Sequence, residues 1–224
     1  MELNYLDLAK QLLVRYSKNN LIILNVISTL RRIKDNEYLD KIAEDLLYTF
    51  FALFDYFYLT AKEIISLEKE KNGEIQEKIK LNQNMFELII LKELVAILGN
   101  IVKNESHSKP FIEKNLHLVL VDLKLTFYYY PKLIKNTIGA LINLTTSNEI
   151  RENMSKVAAF IQSIYIILDH YKENQALIDY ELKLIINVMK NGILNSINER
   201  YYCQNFYFWG YVLLFIVISK EFYA

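Results

Sequence analysis

Glycine and proline are scarce in this sequence, five and two among 224 residues. Sandwiches and barrels turn sharply every few residues and need many of both, so their scarcity points to helices joined by short polar turns. The single cysteine, Cys203, excludes an intramolecular disulfide framework and fits a reducing compartment. Neither sign of charge is in excess, with 26 basic and 26 acidic side chains. The chain as a whole therefore carries no electrostatic footprint for nucleic acid. The opening MELNYLDLAKQLL lacks a basic start followed by an apolar run, so no signal peptide is expected and the location expected is cytoplasmic. The sequons at Asn104 and Asn143 are accordingly read as chance. What is abundant is apolar surface. At 53% hydrophobic residues the chain can bury a sizeable core, and its length suits one domain over 1–224.

Recognisable chemistry is missing as well. No glycine-rich phosphate loop occurs. His107, His117 and His170 have no metal-ligand spacing to one another or to Cys203, and no metal or cofactor is expected. No serine has a nucleophile-elbow context. His170 follows Asp169 near a polar helix end and reads as a surface residue, and Cys203, among aromatics, reads as a small packed hydrophobe. The acidic residues are spread along helix faces. The expectation is a protein that is not an enzyme.

A long repeat is present instead. VAILGNIVKN (95–104), GALINLTTSN (139–148) and LIINVMKNG (184–192) superpose Asn100, Asn143 and Asn187, which are 43 and 44 residues apart. Apolar residues recur at fixed offsets. Nine before each Asn stand Leu91, Ile134 and Ile178; five before, Val95, Ile138 and Leu182; two before, Leu98, Leu141 and Ile185; one after, Ile101, Leu144 and Val188. At about 100° per helical residue the three preceding offsets fall within roughly 60° of one another, with the Asn opposite. Each helix is predicted to bury one stripe and turn its Asn away from it. A fourth copy fits near the N-terminus, where Ile23, Ile27, Leu30 and Ile33 bracket Arg32. The extra length before the next copy lies in a charged insertion, SLEKEKNGEIQEKIKLNQN (66–84). Between the Asn helices come a short polar segment and a second apolar helix: 105–115 then 116–130, 148–156 then 157–171, and 192–204 then 205–219. Each unit reads as one short helix and two longer ones. The aromatic stretches YTFFALFDYFYL (48–59) and FYYYPK (127–132) read first as core and second as interface.

A unit near 40–47 residues whose last helix closes on apolar-x-Asn-apolar resembles the armadillo repeat, and GALINLTTSNEIREN is the best match. The resemblance implies a right-handed superhelical stack of about four units, the last truncated, whose third helices line a concave groove. It also implies that Asn100, Asn143 and Asn187, with Arg32 in the first slot, bind the main chain of an extended partner peptide, since an amide both donates and accepts. Armadillo proteins that carry nuclear-import signals place Trp four residues before the Asn. Here Ala96, Gly139 and Lys183 stand there, and the usual Gly between first and second helices is absent, so a HEAT-like solenoid stays open. The implied function is a protein-binding scaffold or adaptor, without nucleic acid, of the kind used in cytoskeletal, ciliary and trafficking assemblies. On that reading Asn143→Ala weakens partner binding by about 1–2 kcal/mol and leaves folding nearly unchanged.

The alternative is a tail-anchored membrane scaffold. Residues 201–219 carry no charge over 19 positions, between Arg200 and Lys220, which is just enough to span a bilayer. Gln204 and Asn205 shorten the apolar run to 206–219, which favours a buried helix of the truncated last unit, covered by its neighbours, by a second copy in a homodimer, or by a partner.

Overall fold

The computed structural model describes residues 5–72 and 85–189, and among these every regular element is helical. The elements are α1 (Tyr5–Arg15), α2 (Asn20–Leu30), α3 (Asn36–Asn72), α4 (Phe86–Ile101), a 3-10 turn (Glu105–His107), α5 (Ser108–Glu113), α6 (Leu116–Thr126), α7 (Pro131–Leu144), α8 (Asn148–Ser155), α9 (Ala158–His170) and α10 (Gln175–Met189). Short polar signals set the boundaries. Asn19 caps α2, its side chain accepting from Ile22 N at 3.1 Å. Asp35 accepts from Tyr38 N at the start of α3. Pro131 occupies the first turn of α7, where its missing N–H costs nothing. Asn115, at φ 50°, makes the sharp corner between α5 and α6 in a left-handed conformation that Asn tolerates better than most residues.

The helices associate in two rows. In one, α2 packs on α4, α4 on α7 and α7 on α10. The other contains α1, α3, α6 and α9. There α1 packs on α3 and α6 on α9, while Tyr58 and Lys62 of α3 reach Asp122 of α6. Across the rows α1 meets α2, α3 meets α4, α6 meets α7 and α9 meets α10. The short helices α5 and α8 lie against α6, and α8 also touches α10.

All twelve apolar positions at the four predicted offsets from Asn100, Asn143 and Asn187 are buried, none more than 8% exposed. The N-terminal copy follows suit: Ile23, Ile27 and Leu30 are fully buried, Ile33 partly. In the aromatic stretch of α3 phenylalanine and tyrosine sort by polarity. Phe50, Phe51, Phe54 and Phe57 are buried while Tyr48 and Tyr56 face out, each buried ring being worth about 1.5–3 kcal/mol of transfer free energy. Tyr58 is buried as well, its hydroxyl donating to Asp122.

Residues 66–72, the first part of the charged insertion, extend α3 as helix; residues 73–84 lie outside the described part. Two expectations change. The second helix of the third unit stops at Thr126 rather than running to 130, because Tyr130 already accepts from Ile134 N to begin α7. Arg32 falls in the turn after α2, not on the helix. The apolar run 201–219 and Cys203 lie outside the described residues, and among those described no helix is long and apolar enough to cross a membrane.

Candidate functional site

Each helix of the row α2–α4–α7–α10 carries a stripe of incompletely buried positions: Leu21, Asn25 and Thr29 on α2; Ile89, Lys92, Ala96 and Asn100 on α4; Lys132, Lys135, Gly139 and Asn143 on α7; Ala176, Tyr180, Lys183 and Asn187 on α10, with Asp179 and Ile186 exposed beside it. On each helix these positions recur at three- or four-residue steps, so they share a face opposite the buried stripe.

The asparagines sit where these stripes meet the neighbouring helix. Asn143 Nδ2 donates to Gly99 O at 2.8 Å, and Asn187 Nδ2 reaches Thr145 Oγ1 at 3.4 Å. Asn136, two turns before Asn143, donates to Lys92 O at 3.0 Å. Each bond joins consecutive helices of the row across 42–44 residues of sequence. Asn100 is half-buried, and no described residue hydrogen-bonds its amide. Asn143, and at longer range Asn187, therefore acts first as a clasp between helices. Asn143 has its NH₂ engaged in the fold, so the expectation that Asn143→Ala leaves folding unchanged is revised: that bond is worth about 1 kcal/mol of stability. In the first slot Arg31 bridges to Glu93 of α4, and Arg32, expected to bind a partner, is exposed. Asn20 adds a bond to Glu87 at 3.2 Å.

Close approach of α4 and α7 permits this lacing. A Cβ on Gly99 would lie 3.0 Å from Ala140 Cβ and 3.2 Å from its Cα. Only glycine at 99 lets the two backbones come this near, and its carbonyl is the one that Asn143 takes. The adjacent pair Gly99–Asn100 was legible in sequence; that glycine serves a helix crossing was not.

The electrostatics of the face are uneven. Burial pushes the Glu93 carboxyl up, but Lys92, at 2.9 Å, and Arg31 outweigh that and hold it below the usual carboxylate range. Lys135 and Lys183 lie over the Tyr180 ring, 5.3 and 5.6 Å from its centroid. Where α4 and α7 begin, a cleft of about 310 Å³ is lined by Leu88, Ile89, Lys92, Tyr130, Pro131, Lys132 and Leu133.

Away from this face, Lys124 of α6 and Glu181 of α10 form a fully buried ion pair. Burial drives the Glu181 carboxyl up and the Lys124 amine down, each opposed by its partner. Glu181 Oε2 has no hydrogen-bond partner among the described residues, and neither ring nitrogen of buried His117 has one. Sequence reasoning missed both features. Lys124 and Glu181 are each set among apolar neighbours, a signal that existed, but nothing in sequence pairs them across 57 residues. His107 contacts Ile101 O and Asp40, while exposed His170 stands edge-on to Tyr128, Tyr129 and Tyr171. Among the described residues no three metal-capable side chains cluster. No protein-family model, no curated protein and no solved structure matches the chain.

Proposed function

We propose that this protein is a non-catalytic adaptor of armadillo-like, repeat-stacked architecture that acts in the cytoplasm and holds a segment of another protein along the exposed stripes of α2, α4, α7 and α10. One observation supports the reading: α2, α4, α7 and α10, packed in succession, each keep a less-buried stripe, and side-chain bonds at both the α4–α7 and α7–α10 junctions span the sequence period. Stripes stacked side by side in this way would offer an extended chain polar groups at regular steps. Asn100, Asn143 and Asn187 remain the proposed partner-binding residues, with a refinement. Asn143 offers a partner its carbonyl oxygen, its NH₂ being engaged, and Asn100 offers the whole amide.

A photo-crosslinking amino acid placed singly at Ala96 or Ile186, on this row, and at Tyr48 or Tyr165, exposed on the other row, tests the proposal in extracts of the native cell. Discrete adducts concentrated at Ala96 and Ile186 support it. Adducts concentrated at Tyr48 or Tyr165 would move the binding face to the other row.

A further inference from the structure

Positive charge on the proposed binding face is only partly balanced within the fold. Helix α7, Pro131–Leu144, contains two lysines and no acidic residue. Both lysines, 132 and 135, are exposed, as is Lys183 on α10, and none of the three is ion-paired among the described residues. Of the nearby carboxylates, Glu93 is shared by Arg31 and Lys92 and Glu181 is buried against Lys124. Glu87 and Asp179 accept only from the neutral amides of Asn20 and Gln175 and keep their charge, but the three unpaired lysines outnumber them.

Geometry concentrates that charge. Lys135 and Lys183, from neighbouring helices, share the ring of Tyr180, so their ammonium groups are at most about 11 Å apart. Lys132 lies one helical turn from Lys135 and borders the cleft floored by Leu88 and Leu133. Alternate side chains of an extended peptide are about 7 Å apart, so one strand can meet two of these lysines and place an apolar side chain in the cleft. The ring beneath Lys135 and Lys183 is already covered by two cations, which leaves it unsuited to stacking a nucleobase.

We propose that the segment held on this face is acidic: an extended peptide of another protein whose Asp or Glu side chains meet Lys132, Lys135 and Lys183, with one Leu- or Phe-like side chain in the cleft. This rests on the adaptor reading and adds the chemistry of the partner to it. Complementary charge of this kind governs specificity and encounter rate more than it adds raw affinity.

The test is selection of random phage-displayed peptides on the full chain. The winning peptide is then resynthesised and titrated against wild type and Lys135→Gln/Lys183→Gln at about 0.05 M and about 0.3 M ionic strength. The expected winners are rich in Asp and Glu with spaced apolar residues. Their affinity falls about tenfold in the double variant, whose circular dichroism is unchanged, and falls comparably with salt. Neutral or basic winners that crosslink to a photoreactive residue at Ala96 or Ile186 would overturn the acidic assignment while leaving the face in place. Winners of any charge that crosslink only on the other row, or no winners at all, would overturn both. Single-stranded DNA bound by wild type more tightly than any selected peptide, and lost in the double variant, would replace the acidic peptide with a polyanion of another class.

Discussion

His117 is the least satisfied side chain described. It is fully buried on α6 with both ring nitrogens unpartnered, and burial holds its pKa below the ordinary histidine value. The sign of the pH effect follows. The folded chain resists a proton that the unfolded chain accepts at about pH 6.5, so this group's contribution is complete above that value and is lost as the pH falls below it. His117→Leu removes two desolvated polar atoms for a side chain of similar bulk. It is expected to be neutral or stabilising by about 1 kcal/mol at pH 7, and to lose less stability than wild type between pH 7 and pH 5. Urea denaturation at both pH values checks this, and equal losses would show that His117 does not titrate on unfolding. A histidine's place in sequence says nothing of this. Leu116 and Leu118 flank it as they would flank a surface histidine, and only the packing of other helices over α6 removes its water.

Between elements, two contacts decide how the rows hold. At the crossing of α4 and α7, Gly99→Ala brings a Cβ to 3.0 Å from that of Ala140. The overlap is with a short, stiff neighbour, so the cost is about 1–3 kcal/mol even though alanine favours helix by about 1 kcal/mol. Adding Ala140→Gly returns part of the loss, because the second substitution removes the atom being struck. A thermal-melt comparison of the two variants reads this directly, and a Gly99→Ala protein that melts at or above wild type would mean the helices are not so close. Between α6 and α10, Lys124→Met strands the Glu181 carboxylate in a dry interior and is expected to cost about 3–5 kcal/mol, whereas Lys124→Met with Glu181→Leu recovers most of it. Additive costs in that double-mutant cycle would be incompatible with the pair.

Across the whole molecule, contacts run from each helix to its neighbours in two rows, so stability is expected to vary along the chain rather than to be uniform. Helix α4 buries ten of its sixteen residues and touches α2, α3 and α7, whereas α5 buries Phe111 alone. Amide hydrogen exchange is therefore expected to be slowest in α4 and α7 and fastest in α5 and α1; equal protection in all four would indicate one cooperative unit. How much of this was legible follows the range of the interactions. The burial of Leu91, Ile134 and Ile178 and their nine counterparts was readable because helical periodicity is a local property, fixed by 3.6 residues per turn and by the need to bury one stripe. The helical class and the period follow from the same local rule together with the scarcity of glycine and proline. What the tertiary structure alone decided is which groups from different helices meet: Asn143 on the Gly99 carbonyl, Arg31 on Glu93, Lys124 on Glu181, and Lys135 over Tyr180. Such pairings depend on the angle and distance at which whole helices cross. Packing of many side chains at once sets that geometry, and no spacing along a single strand of sequence encodes it.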